Sequence, residues 1–210
     1  GVNLFFLISG FIITKIFYSK ENININSILF FLRKRFLKLF PYLLSTIFLT
    51  IVFGYFFLGK KLFYETFLSS LYSIFFISNF FYYNEFSYFD FYAKSNPLLH
   101  TWSLSIEIQF YFIFSLILLF FKKYFKNFLF FLVLFLILFS LSLIFYNSVN
   151  ALFYLPFFRF YEFILGSLAF LISKKFKTDI FNVTFTSLGL LIISLYIFYY
   201  NPNNNLSLIN

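Results

Sequence analysis

The chain has 210 residues, of which 62% are hydrophobic and only 11% charged, whereas a soluble domain carries about 25% charged residues. A mean hydropathy of +0.90 excludes a surface that faces water throughout. With no cysteine and one histidine, a disulfide framework and a thiolate or His-rich metal site are excluded as well. The net charge of +9 does not point to nucleic acid, because the basic residues lie in short clusters between apolar runs, the pattern of cytoplasmic loops.

Apolar runs occur at roughly 1–19, 41–58, 62–83, 101–121, 127–146, 152–173 and 183–200. Each approaches the ~20 residues that cross a hydrocarbon core of about 30 Å. Lipid offers no hydrogen bonds, so the backbone of a span must bond to itself. Period-two alternation is missing, which excludes a barrel. The fold class is therefore an all-α integral membrane protein, a multi-spanning helical bundle, with 1–210 forming a single transmembrane domain. The 43 phenylalanines are read as lipid-facing and packing residues. The chain starts inside an apolar run at Gly1 and contains no methionine. It is therefore expected to be part of a longer protein, and no charged leader marks a cleavable signal.

Segment 28–40, ILFFLRKRFLKLF, carries apolar and basic residues at helical spacing. It predicts an interfacial amphipathic helix that lies along the cytoplasmic surface until Pro41 turns the chain inward. Its cations, Arg33, Lys34, Arg35 and Lys38, fit anionic lipid head groups or a phosphate-bearing substrate. Lys15 and Lys20 belong to the same cluster. Lys122, Lys123 and Lys126 form a second, and Lys174, Lys175 and Lys177 a third, and all three belong on one side of the membrane. Two runs separate the second cluster from the third, but three separate the first from the second. One of those three should not span, and 62–83 is the candidate because it carries Glu65 and several serines.

Charges within hydrocarbon cost about 2.5–3.5 kcal/mol each on insertion scales, so two stretches stand out. In 97–111, PLLHTWSLSIEIQFY, the spacing places His100, Ser103, Glu107 and Tyr111 on one helical face. Pro97 ends the preceding loop, and Thr101 or Ser103 is expected to cap the helix. This stripe serves equally well as a proton-handling surface and as a buried network that fixes packing. In 154–166, YLPFFRFYEFILG, Arg159 and Glu162 can pair with each other. Such a pair either only lowers its own insertion cost or leaves a donor edge for a substrate anion. Gly166 allows a neighbouring helix to approach closely.

Four blocks in order resemble the membrane acyltransferase-three family, which includes O-acetyltransferases of bacterial surface polysaccharides. GVNLFFLISGFIIT at 1–14 is similar to the family's second transmembrane helix, where Asp commonly stands in place of Asn3. KRFLKLFP at 34–41 resembles its basic motif. YFDFYAKSNPLLHTWSLSIEIQFY at 88–111 resembles its most recognisable stretch, and FYLPFFRFYEFILGSLAF at 153–170 a later helix. The resemblance implies a multi-pass protein of the cell (inner) membrane that transfers an acyl group, usually acetyl, from acyl-CoA to a carbohydrate hydroxyl. The implied partners are the bilayer, acyl-CoA as donor substrate and a carbohydrate acceptor, with no permanently bound cofactor and no metal.

By this resemblance Lys34, Arg35 and Lys38 hold the CoA phosphates, Arg as a planar fork and Lys as a point charge. Glu107, with His100 and Ser103, orients or deprotonates within the cavity. Arg159, Glu162, Trp102 and Tyr111 line a substrate pocket. The sequence departs from the family in three ways. The histidine proposed as the family's base lies upstream of the matching region, Lys38 stands where Arg is usual, and Ile108 replaces a second Glu. A transporter or flippase would also bury Arg, Glu and His, but it predicts internal repeats, which are not visible. A non-catalytic remnant is the other alternative.

Overall fold

The computed structural model describes residues 1–20, 23–85, 95–121, 123–144 and 149–175. Among them every regular element is helical: α1 (Val2–Tyr18), α2 (Ile25–Phe57), α3 (Lys60–Ile74), α4 (Ser78–Glu85), α5 (Thr101–Phe121), α6 (Phe128–Ile144), α7 (Val149–Tyr154), a 3-10 turn (Pro156–Phe158) and α8 (Phe160–Lys175). The all-α membrane fold read from hydropathy is the fold observed. Among the described residues three stretches are long and apolar enough to cross a membrane, Ile25–Phe57, Thr101–Phe121 and Pro156–Lys175. Residues 1–170 form one compact unit and 171–210 another. Of the second unit, only the end of α8 is described. The run at 183–200 and Lys177 lie outside the described residues.

The interfacial helix expected over 28–40 is not a separate element. Asn24 and Ser27 form a reciprocal capping box, and the helix then continues for 33 residues with Pro41 inside it. Proline removes one backbone donor and bends a helix. In an apolar setting, however, ending the helix there would strand several more backbone groups, so it runs on. At roughly 1.5 Å per residue, α2 is about 50 Å long, well over the ~30 Å of a hydrocarbon core. Its basic first turns therefore extend beyond the apolar part as the start of a spanning helix. Phe48, Phe53, Phe56 and Phe57 stay exposed along the later turns, as a lipid-facing surface requires.

The run at 62–83 does not form one spanning helix. It breaks between α3 and α4, where Phe76 takes a left-handed conformation with φ 55°. The Phe76 N–H bonds to the Ser73 carbonyl and the Ile77 N–H to the Tyr72 carbonyl, each at 3.0 Å. This is the double bond of a Schellman ending, a position usually held by glycine. Phenylalanine there costs roughly 1–3 kcal/mol. Packing offsets that cost: the ring is buried beside Phe36 and Phe40, in a cluster with Leu43, Ile47 and Leu98.

α5 is the organising element, since it touches α1, α2, α3, α4 and the 3-10 turn. It starts differently from expectation. Thr101 and Ser103 donate their hydroxyls back to the Leu98 and His100 carbonyls, while the Asn96 side chain accepts from the Leu98 N–H at 3.0 Å. Asn96 therefore sets the turn. A further polar seam, Ser73–Thr101–Ser78–Ser105, ties α3 and α4 to α5.

α1 and α8 cross at contact distance. A Cβ on Gly10 would lie 2.6 Å from the Phe163 carbonyl carbon, and one on Gly166 would lie 2.8 Å from the Phe11 nitrogen. Two glycines in register let the backbones meet, as small residues do in membrane helix pairs. Thr14 donates to Ser167 at 2.8 Å across the same crossing. At the Tyr18 end of α1, the Lys126 ammonium lies 5.3 Å from the Tyr18 ring centre, so Lys126 of the second basic cluster and Lys20 of the first lie at one end of the unit.

Candidate functional site

The polar groups of α5 reach two separate centres. The first is Glu107, which is 4% exposed. Its Oε1 accepts a hydrogen bond from the Ser9 hydroxyl at 2.7 Å and another from the Tyr111 hydroxyl one turn along. Its Oε2 is buried and has no hydrogen-bond partner among the described residues. The close crossing at Gly10 holds Ser9 in place, because the adjacent residue is wedged against α8. Arg35 lies over the other side of Tyr111, its guanidinium 5.3 Å from the ring centre and 5.6 Å from that of Phe31. A cation over an aromatic face gains about 0.5–2 kcal/mol, more as it is desolvated.

Arg35 also lines a cavity of about 360 Å³ together with Lys34, Lys38 and Lys20. Lys34, Arg35 and Lys38, expected to act together, line one cavity, and Arg35 also lies over Tyr111, which bonds to Glu107. None of the described lining residues is acidic, so these side chains concentrate positive charge.

The second centre is Arg159. The expectation of one helix through 152–173 fails at Pro156, where the chain bends and α8 begins after Arg159. The Arg159 guanidinium forms an ion pair with Glu162 at 2.7 Å, donates to the Phe153 carbonyl at 3.2 Å, and reaches Asn3 at 3.4 Å. It packs over the rings of Phe153 and Trp102. Glu162 Oε2 is buried without a hydrogen-bond partner among the described residues. Arg159 and Tyr161 line a cavity of about 280 Å³ with Ser142. Between Asn3 and Ser9 on α1, Phe6 stacks on Phe163 at 4.6 Å and lies edge-on to Trp102.

The expected stripe on α5 divides. Glu107 and Tyr111 are bonded to each other, but neither His100 nor the Ser103 hydroxyl reaches them. His100 precedes the helix in a turn, so helical spacing does not extend to it. It is exposed and borders a different cavity, of about 450 Å³, with Thr46 and Leu104. Trp102 lies under the Arg159 guanidinium without lining the cavity there, and Tyr111 joins the Glu107 centre. Ser9, Asn3 and Lys20 were not picked out as site residues. Ser9 and Asn3 are polar residues in the mostly apolar first part of α1, which was the available signal.

These features define an α-helical membrane protein with two polar centres held between apolar helices. The chain belongs to the acyltransferase family, whose acyltransferase domain model matches residues 1–209. An uncharacterized protein of Haemophilus influenzae is 33% identical over 184 residues, covering 80% of this chain and 72% of that protein. Peptidoglycan O-acetyltransferase OatA of Listeria monocytogenes is 35% identical over 130 residues, 60% of this chain and 21% of that protein. O-acetyltransferase OatA of Staphylococcus aureus is 34% identical over 131 residues, again 60% and 21%. The chain thus spans about a fifth of the length of these two O-acetyltransferases. No solved structure matches.

Proposed function

We propose that this chain forms the membrane core of an O-acyltransferase that moves an acyl group, acetyl in the simplest case, from acyl-CoA to a hydroxyl of an envelope carbohydrate. The observation that carries the reading is the position of Arg35. It lines a basic cavity with no carboxylate among its described lining residues and also lies over the ring of Tyr111, which bonds to Glu107. Lys34, Arg35 and Lys38 clamp the donor phosphates from the cytoplasmic side of a multi-pass protein in the cell membrane. In the transfer, the acceptor oxygen forms a bond to the thioester carbonyl carbon, the carbon–sulfur bond breaks, and the hydroxyl proton leaves. Glu107 orients or accepts that proton through Oε2, with Ser9 and Tyr111 holding Oε1. The Arg159–Glu162 centre, flanked by Trp102, shapes the acceptor or acyl pocket. The O-acetyltransferase names of the relatives support an acetyl group and a cell-wall carbohydrate.

The test supplies membranes containing the complete protein with acetyl-labelled CoA and follows label into alkali-labile ester on envelope carbohydrate. Transfer in the wild type and a fall of at least tenfold in Glu107→Gln is expected. Label that enters equally with both proteins overturns the reading.

A further inference from the structure

Lys20 has no place in the basic motif. It lies outside that motif in sequence, two residues beyond the end of α1. The structure nevertheless puts it in the cavity with Lys34, Arg35 and Lys38. Its ammonium is 3.5 Å from the Ser27 carbonyl on α2 and 5.3 Å from the centre of the Phe17 ring, so the side chain leans across the gap between α1 and α2. Arg33 provides the contrast. It adjoins the motif directly, yet it is exposed and does not line the cavity.

Four cations around about 360 Å³, with no acidic group among the described lining residues, repel one another unless an anion is present. One phosphate does not balance them, whereas a ligand with several phosphate charges does. Phe30 and Phe31 border the same space, and Phe30 is largely exposed, so an apolar or planar portion of the ligand has a surface to lie on. We propose that Lys20 is a fourth phosphate-binding residue, contributed by the segment just past α1, and that the site takes a polyphosphorylated nucleotide-type ligand held between that segment and α2. The ligand class rests on the acyl-CoA reading above; the four-cation site does not.

The complete protein in neutral-lipid nanodiscs is titrated with CoA, with pyrophosphate and with short-chain phosphatidylglycerol as separate probes. Wild type, Lys20→Ala, Lys20→Arg, Arg33→Ala and Arg35→Ala are compared. Loss of one charge-assisted bond corresponds to roughly ten- to a hundredfold weaker binding. Lys20→Ala should weaken CoA by that amount, Lys20→Arg should retain most of the affinity, and Arg33→Ala should match the wild type. If Lys20→Ala binds CoA as the wild type does while Arg35→Ala is weak, the proposal is wrong and the donor reading stands. Equal losses in Lys20→Ala and Arg33→Ala also overturn it, since that is the pattern of general surface charge. If CoA does not bind but pyrophosphate or phosphatidylglycerol binds in a Lys20-dependent manner, the four-cation site stands and the donor reading fails. If no probe binds, both fail.

Discussion

Replacing Ser9 by alanine removes one of two donors from Glu107 Oε1 and leaves the Tyr111 bond in place. Both residues are buried, Ser9 at 5% and Glu107 at 4% exposure, so water does not replace the lost donor. A hydrogen bond to a charged group contributes about 1.5–3 kcal/mol and a neutral one about 0.5–1.5. The serine should therefore matter more beside a carboxylate than beside an amide. Ser9→Ala alone is expected to cost about 2 kcal/mol, and the same change in a Glu107→Gln background about 1. The coupling, close to 1 kcal/mol, is read as a double-mutant cycle on unfolding free energy in detergent. If acetyl transfer is measured in parallel, the serine change should add little to the loss from Glu107→Gln. Distant, independent sites add to within about 0.3–0.5 kcal/mol. A coupling inside that range would show that Ser9 fills space at the crossing and does not hold the carboxylate.

Three further outcomes follow from the packing and the charge layout. Gly166→Ala sets a Cβ 2.9 Å from the Leu7 carbonyl carbon, whereas Gly59→Ala meets nothing within 4 Å; the first should lose about 3 kcal/mol by overpacking and the second almost nothing, as thermal unfolding in detergent would show. Arg159→Met leaves Glu162 as an unpaired buried charge and should cost about 3–5 kcal/mol, while Arg159→Met/Glu162→Gln should recover much of it; a double variant no better than the single one contradicts the pairing. Lys20→Cys and Lys123→Cys should react with an impermeant reagent from the same side of the membrane, as the Lys126–Tyr18 contact requires, and labelling from opposite sides would refute that arrangement.

Hydropathy made the helical membrane fold legible because a span needs a long apolar run, and that requirement is visible residue by residue. Breaks inside the runs were harder to read. At Phe76 the left-handed residue is not the glycine that normally signals an ending, and tertiary packing overrides its preference. At Pro41 the opposite happened, since a residue that ends helices in water is carried through when lipid offers the backbone no other partner. Lys34, Arg35 and Lys38 were legible as a group because they sit close together on one helix. Lys20 and Ser9 were not, because their partners lie on other helices, Ser9 being 98 residues from Glu107. His100 misled the spacing argument because the helix begins one residue later, at Thr101.

The central claim, that the basic cavity receives the phosphates of an acyl-CoA donor, is tested most directly by the dependence of acetyl transfer on acetyl-CoA concentration. The proteins are wild type, Arg35→Ala, Arg35→Lys and Arg33→Ala, in membranes matched for protein content. Arg35→Ala should need roughly ten- to a hundredfold more donor for half-maximal transfer. Arg35→Lys should recover only part of that, since a point charge lacks the planar fork, and Arg33→Ala should follow the wild type because it does not line the cavity. Wild-type donor curves for both Arg35 variants would contradict the account.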